Sequence, residues 1–192
     1  MIISVDDGGA SDVRIAALAR KYNVQCVFYW PVEWHSLAYE KGYEPLSFLQ
    51  ALEIARDFEI GSHTVTHRYL TQIRESEAKN EIEESKVILQ NMFKQPIKKF
   101  APPRGYTNDV LTEFTLRFYE KQRLTKGKGL VHIHPNSGAN DNRPWQQRIT
   151  KDTEELWCHS WELDKYDLWE ELEDFLSSPK VVIDPKLAST YP

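Results

Sequence analysis

The sequence predicts an α/β fold built on parallel strands. Short apolar runs of strand length alternate with longer segments of helical periodicity, and that alternation requires crossover connections between parallel strands. The side chains able to do chemistry then fall at the carboxyl ends of those runs, where parallel α/β folds build their sites. With 192 residues the chain is long enough for a self-sufficient core, and a single domain over 1–192 is expected.

The expected strands are Ile2–Asp6, Gln25–Trp30, Glu59–Ser62, Lys98–Ala101, Leu130–His134, Glu155–His159 and Val181–Asp184. The expected helices are Asp12–Tyr22, Leu46–Phe58, Ile73–Phe93, Asp109–Arg123 and Asp167–Leu176. In the third helix Ala78, Ile82, Leu89 and Phe93 share one face, as an amphipathic helix requires. Thr107, Asn108 and Asp109 offer an N-terminal cap to the fourth. Pro31–Glu44 reads as a loop, and Asn136–Asp152 is a long polar stretch without periodicity, of the kind often tied to function. Seven strands of this pattern satisfy either a doubly wound sheet or an α/β barrel.

Composition removes several function classes. The net charge of −5 and pI near 5.7 argue against a nucleic-acid binder, which needs a basic face. No apolar run approaches the roughly 18 residues of a membrane span. The run MIISVD opens directly as a strand with no signal peptide ahead of it, so the expected compartment is the cytoplasm, or the exterior if an export signal precedes this stretch. Cys26 and Cys158 form no short-spaced metal pattern and no disulfide framework. Aromatic residues at 12% fit a thick core more simply than sugar stacking. The sequence leaves the oligomeric state open.

Two clusters carry chemistry. Asp6-Asp7-Gly8-Gly9 ends the first strand. Adjacent carboxylates repel unless a cation or donor compensates; a metal on one would leave the other free as a base. An Asx turn closing the strand is the plainer reading of the same residues. The second cluster is Gly61-Ser62-His63-Thr64-Val65-Thr66-His67. Two histidines four apart share a metal if the segment turns, at about 6 Å, but not if it is extended, at about 13 Å. Two His plus one Asp form an open-site ligand set for a catalytic metal. Arg104, His132, His134 and His159 sit at or beyond later strand ends.

These motifs resemble those of the polysaccharide deacetylases of the NodB-homology type, carbohydrate esterase family 4. Ser4-Val5-Asp6-Asp7-Gly8 is similar to the family's Thr-Phe-Asp-Asp-Gly, and His63-Thr64-Val65-Thr66-His67 to its His-Ser/Thr-x-x-His. Phe100-Ala101-Pro102-Pro103-Arg104-Gly105-Tyr106 resembles its Arg-Pro-Pro-Tyr-Gly segment, and Leu156-Trp157-Cys158-His159 its Leu-x-x-His ending. The resemblance implies a distorted (β/α)7 barrel that removes acetyl groups from N- or O-acetylated oligo- or polysaccharides. It implies a divalent metal on Asp7, His63 and His67, with zinc expected and cobalt, nickel or manganese as alternatives. Asp6 would be the base and His159 the acid, with His132 a competitor for that role. Tyr106, Trp157, Trp161 and His132 would line the substrate, and a backbone N–H near Tyr106 would face the oxyanion.

Two departures stand out. The family places an arginine where this chain has Ala101; Arg104 either reaches the base from across the loop or faces solvent. The family's Asp-Trp motif, which tunes the acid histidine, has no clean counterpart, although Asp141, Asp152 and Trp145 lie in the right region. They support one alternative, a sugar-binding member that has lost turnover; the absence of a visible export signal supports another, a metal hydrolase acting on a small amide metabolite.

Overall fold

The computed structural model describes residues 1–135 and 143–178. Seven parallel strands form one sheet: β1 (Ile2–Asp6), β2 (Gln25–Trp30), β3 (Glu59–Ser62), β4 (Lys99–Phe100), β5 (Lys121–Gln122), β6 (Leu130–His132) and β7 (Glu155–His159). Among the described residues seven α-helices accompany them: α1 (Asp12–Tyr22), α2 (Trp34–Lys41), α3 (Phe48–Ala55), α4 (Glu75–Phe93), α5 (Asp109–Phe118), α6 (Ser160–Lys165) and α7 (Trp169–Ser177).

The strand order is β5-β4-β3-β2-β1-β7-β6. Read as a ring, that is the chain order with one break, between β5 and β6. A doubly wound sheet reverses direction at a switch point; this one does not. The order is therefore that of a seven-stranded barrel, open at the β5/β6 seam among the described residues, with β1 held between β2 and β7.

Alternation along each strand sorts side chains onto two faces. Ile3, Val5, Phe28, Trp30, Ile60, Phe100, Leu156 and Cys158 pack under the helices in the main core. Ile2, Val27, Tyr29 and Ala101 form a small cluster on the other face, inside the curl of the sheet. Aromatic residues fill the main core: Trp30 meets Phe28, Trp34 and Phe93 at ring separations of 5.6, 6.0 and 5.4 Å. Both cysteines are buried and free.

Local signals explain most helix limits. Asn108 caps α5 by accepting from the Leu111 N–H at 2.9 Å. Ser47 and Gln50 close a capping box on α3. Asn23 and Lys94 end α1 and α4 in the left-handed region.

Two expectations are corrected. The fourth helix stops at Phe118 rather than Arg123, because Tyr119 turns into the core, its hydroxyl donating to Ile82 O at 2.8 Å. The residues after it pair with β4 instead, with Arg123 N bonded to Phe100 O at 2.8 Å. The stretch read as a loop at Pro31–Glu44 contains α2, whose Trp34, Leu37 and Ala38 are buried at helical spacing. Ser160–Lys165, assigned to none of the expected elements, forms α6. The expected strand Val181–Asp184 lies outside the described residues. No helix among the described residues is long and apolar enough to cross a membrane.

Gly61 sits in β3, two residues before His63, where the sheet leaves no room for a side chain. It faces Tyr29 across the β2–β3 pair, and a Cβ there would sit 2.5 Å from the Tyr29 ring. We expect Gly61→Ala to destabilise the protein by about 1–3 kcal/mol, as overpacking does; a urea midpoint equal to that of the wild type would contradict this contact.

Candidate active site

Asp6 and Asp7 end β1 pointing to different surroundings, and each has its own cation. Asp6 faces the interior of the curl and accepts from the Arg123 guanidinium. Arg123 is buried against the rings of Tyr29 and Trp157, 4.9 and 5.4 Å from their centroids, and lies 3.8 Å from Glu155 Oε1. Asp7 adopts φ 79° and is fully buried. Its Oδ2 pairs with Lys41 Nζ at 2.8 Å.

The other oxygen of Asp7 is the informative one. Oδ1 accepts no well-aligned hydrogen bond, yet it lies 3.5 Å from His63 Nε2 and 3.2 Å from His67 Nε2. A buried carboxylate oxygen left without a donor is costly. One carboxylate and two imidazoles converging on such an oxygen fit a divalent cation. Burial alone would raise the Asp7 pKa, but the charge of His159, then the His63 and His67 rings, hold it well below the usual carboxylate range. Burial lowers that of His67, which keeps its ring neutral and able to ligate.

The histidine pair meets because its segment turns. Thr64 and His67 both have positive φ, so the motif is a tight loop rather than a helical turn. Glu81 of α4 anchors it, accepting from the backbone N–H groups of Val65 and Thr66 at 2.8 and 2.9 Å and from the Thr66 hydroxyl at 2.6 Å. His63 Nδ1 bonds the Ala101 carbonyl at 2.6 Å, which turns Nε2 towards Asp7.

His159, at the end of β7, faces the same place. Its Nε2 is 3.7 Å from Asp7 Oδ2 and its Nδ1 is 2.7 Å from Glu162 Oε2. Burial would lower its pKa, but Asp7 and Glu162 outweigh burial and raise it. His132 Nε2 also reaches Glu162 Oε2, at 3.2 Å, and burial pushes its pKa down to about 4.

Several expected residues move role. Arg104 does not reach Asp6; it is exposed on the rim, 4.6 Å from the centroid of Tyr69. The Tyr106 N–H donates within its own turn, to Pro103 O at 3.3 Å, and the Tyr106 ring stands exposed beside Tyr69. Trp157 is sunk beneath His132, the rings flat on each other at 3.6 Å. Trp161 stays at the site, stacked on Tyr43 and next to His159. Of the candidates for tuning the acid histidine, Trp145 is buried and donates to Glu171, Asp152 is exposed beside Lys128, and Asp141 lies outside the described residues. Glu162 of α6 contacts His159 instead.

Sequence reasoning missed Arg123, Lys41 and Glu162. The helical spacing of Trp34, Leu37 and Ala38 could have exposed α2 and with it Lys41. No local signal marked Arg123.

A cleft of about 300 Å³ opens beside this cluster, lined by Lys41, His67, Tyr69 and Arg104 among others.

The structure is an open barrel with a carboxylate pair and two histidines at its strand ends, three of which, Asp7, His63 and His67, could hold a metal ion. Residues 1–118 match the family model for polysaccharide deacetylase, and the chain belongs to that family. It is 27% identical over 111 residues to a peptidoglycan-N-acetylglucosamine deacetylase of Bacillus cereus, covering 57% of this chain and 48% of that one. The chain thus spans about half the length of that curated relative. Among solved structures it resembles the peptidoglycan deacetylase PdaC of Bacillus subtilis, with TM-score 0.62, 18% identity and coverage of 92% and 82% of the two chains. It also resembles a carbohydrate esterase family 4 pseudoenzyme of Bacillus anthracis, with TM-score 0.59, 16% identity and coverage of 90% and 61%.

Arg123→Met leaves Asp6 and Glu155 buried without their guanidinium and should cost about 3–5 kcal/mol. Arg104→Ala should stay within about 0.5 kcal/mol, as an exposed substitution does; similar urea midpoints for the two variants would contradict the assignment. Asp12, buried beneath the site, accepts from Trp30 Nε1 at 2.8 Å and Ser160 Oγ at 2.6 Å. Burial, with Asp7 and Asp6 adding to it, raises its pKa to about 7. The folded state therefore holds this proton more tightly than the unfolded chain, so this contribution to stability is greatest below about pH 4 and is lost as pH rises towards 7. In metal-free protein, Asp12→Asn should flatten the fall in unfolding free energy between pH 5 and 7; an unchanged slope would sink this account.

Proposed function

We propose that the protein is a metal-dependent deacetylase that hydrolyses acetyl groups on an N- or O-acetylated glycan. The observation that carries this reading is the unsatisfied Asp7 Oδ1 facing His63 and His67, with Asp6 held separately by Arg123 and His159 held by Glu162. Family membership, and relatives named for peptidoglycan and N-acetylglucosamine, support an N-acetylated sugar as substrate.

Asp7, His63 and His67 would hold a divalent cation, with zinc the expected ion, which would supply Lewis acidity towards a carbonyl and a water. Asp6 takes the proton of the attacking water. Arg123 fixes the Asp6 carboxylate in place by donating to its Oδ1. His159 delivers a proton to the leaving amine or alkoxide; Glu162 on Nδ1 orients the ring with Nε2 towards the site. Trp161 and Tyr43 form an apolar wall beside His159, and the cleft past His67 accommodates the glycan.

The reading of a sugar-binding member without turnover rested on Ala101 and the missing Asp-Trp motif. Arg123 at Asp6 and Glu162 at His159 support the active reading, since both roles have occupants from elsewhere in the chain.

The test is acetate release from acetylated chito-oligosaccharides, acetylated xylan and a generic acetyl ester after metal loading. Glycan binding without acetate would favour the binding module, and turnover of small amides alone would favour the metabolite hydrolase. His63→Ala should lose most bound metal. Asp6→Asn should keep it while kcat falls by roughly 10²–10⁴-fold; the opposite pattern would exchange the roles of Asp6 and Asp7. His159→Ala should lower kcat more on an acetamide than on an ester, and equal losses would argue against it as the acid.

A further inference from the structure

Glu162 is ringed by three imidazoles, more than the orientation of one acid histidine requires. Its Oε2 is 2.7 Å from His159 Nδ1 and 3.2 Å from His132 Nε2, and its Oε1 is 3.8 Å from His134 Nε2. The side chains come from three places: the end of β7, the end of β6 and the first turn of α6. They are held firmly. His132 lies flat on Trp157, and the carbonyls of His132 and His134 both accept from Arg148, at 3.0 and 2.7 Å. The cluster is part-buried, with side chains 12–18% exposed.

We propose that His132, His159 and Glu162 form a second divalent-cation site, distinct from Asp7, His63 and His67, with His134 at its edge. Two imidazoles and one carboxylate are a recognised zinc donor set that leaves a position open. Zinc bonds of roughly 2.0–2.1 Å in tetrahedral geometry space the ligand atoms about 3.3 Å apart. Here the carboxylate–imidazole separations are 2.7 and 3.2 Å, and all three ligand atoms lie within 4.8 Å of one another. Small shifts of the side-chain ends would admit the ion in place of the protons these atoms share. An ion on His159 Nδ1 leaves the ring proton on Nε2, the nitrogen that faces Asp7 Oδ2 at 3.7 Å. A ligating imidazole that presents its other N–H to a carboxylate is the arrangement that fixes its tautomer and raises its basicity.

One consequence rests on the deacetylase reading. An ion between His159 Nδ1 and Glu162 Oε2 replaces the direct contact by which Glu162 orients that ring as the acid. Filling the second site should therefore inhibit turnover by withdrawing His159. The equivalent lost in His132→Ala and Glu162→Gln does not depend on that reading; the equivalent lost in His63→Ala does.

Equilibrium dialysis of the full chain against Zn²⁺, with elemental analysis and circular dichroism to confirm folding, tests the site. We expect two equivalents in the wild type, and one each in His63→Ala, His132→Ala and Glu162→Gln. The isosteric glutamine keeps the side-chain volume while removing the anionic ligand. Metal content equal to the wild type's in both folded His132→Ala and Glu162→Gln, or no metal in folded His63→Ala, would overturn the proposal; a single wild-type equivalent that persists in His63→Ala would overturn the first site instead. Acetate release should fall as the second equivalent binds. Undiminished release from doubly loaded protein would overturn the inhibitory role, whereas no release at any loading would overturn the deacetylase reading and leave the second-site equivalent standing.

Discussion

Two carboxylates one peptide apart, both buried, set the terms for the whole site. Like charges that close cannot both stay ionised away from water without compensation. The fold separates them by strand alternation: Asp6 turns into the curl of the sheet and Asp7 turns towards the strand ends. Each then receives a different cation, Arg123 for Asp6 and Lys41 for Asp7. The two minor elements that looked least important, the two-residue β5 and the short α2, bring those cations in. Removing either would leave a buried carboxylate with less compensation, which is far more damaging than losing an exposed ion pair.

The same separation divides the chemistry. Arg123 satisfies Asp6 with a guanidinium that cannot be deprotonated, so the Asp6 carboxylate is fixed in place. Asp7 has one oxygen on Lys41 and the other left open towards two imidazoles. A carboxylate that is locked in place suits a proton acceptor, and one with an unsatisfied oxygen suits a ligand. The division of labour proposed for the two thus rests on geometry as well as on their order in a motif.

Position in space also outranks position in sequence for the supporting residues. The arginine expected just before the Pro-Pro segment is replaced by Ala101, whose carbonyl instead orients His63. The guanidinium arrives instead from Arg123, just after β5, and lies against the rings of Tyr29 and Trp157. The partner of His159 likewise comes from three residues further along the chain, as Glu162, where one turn of α6 brings it back onto the ring. A charge can move between elements when the elements converge on one point, and the open ends of barrel strands are such a point.

The local patterns of the sequence carried much of this architecture. Apolar runs bounded by turns marked β1, β2, β3 and β7, because strands buried between a helical layer and a filled interior have little room for polar residues. Asp6, Asp7, His63 and His67 were legible because their chemistry is written in fixed short spacings. What the tertiary structure alone decided were the long-range choices. Tyr119 leaves a helical pattern because the core needs its ring, and the following residues pair with β4, which puts Arg123 rather than Arg104 on Asp6. The ring order of the strands, barrel rather than doubly wound, depends on which edges meet. Neither outcome has a local signature: a buried ion pair 117 residues apart in sequence is chosen by desolvation and packing, which act only once the chain has closed on itself.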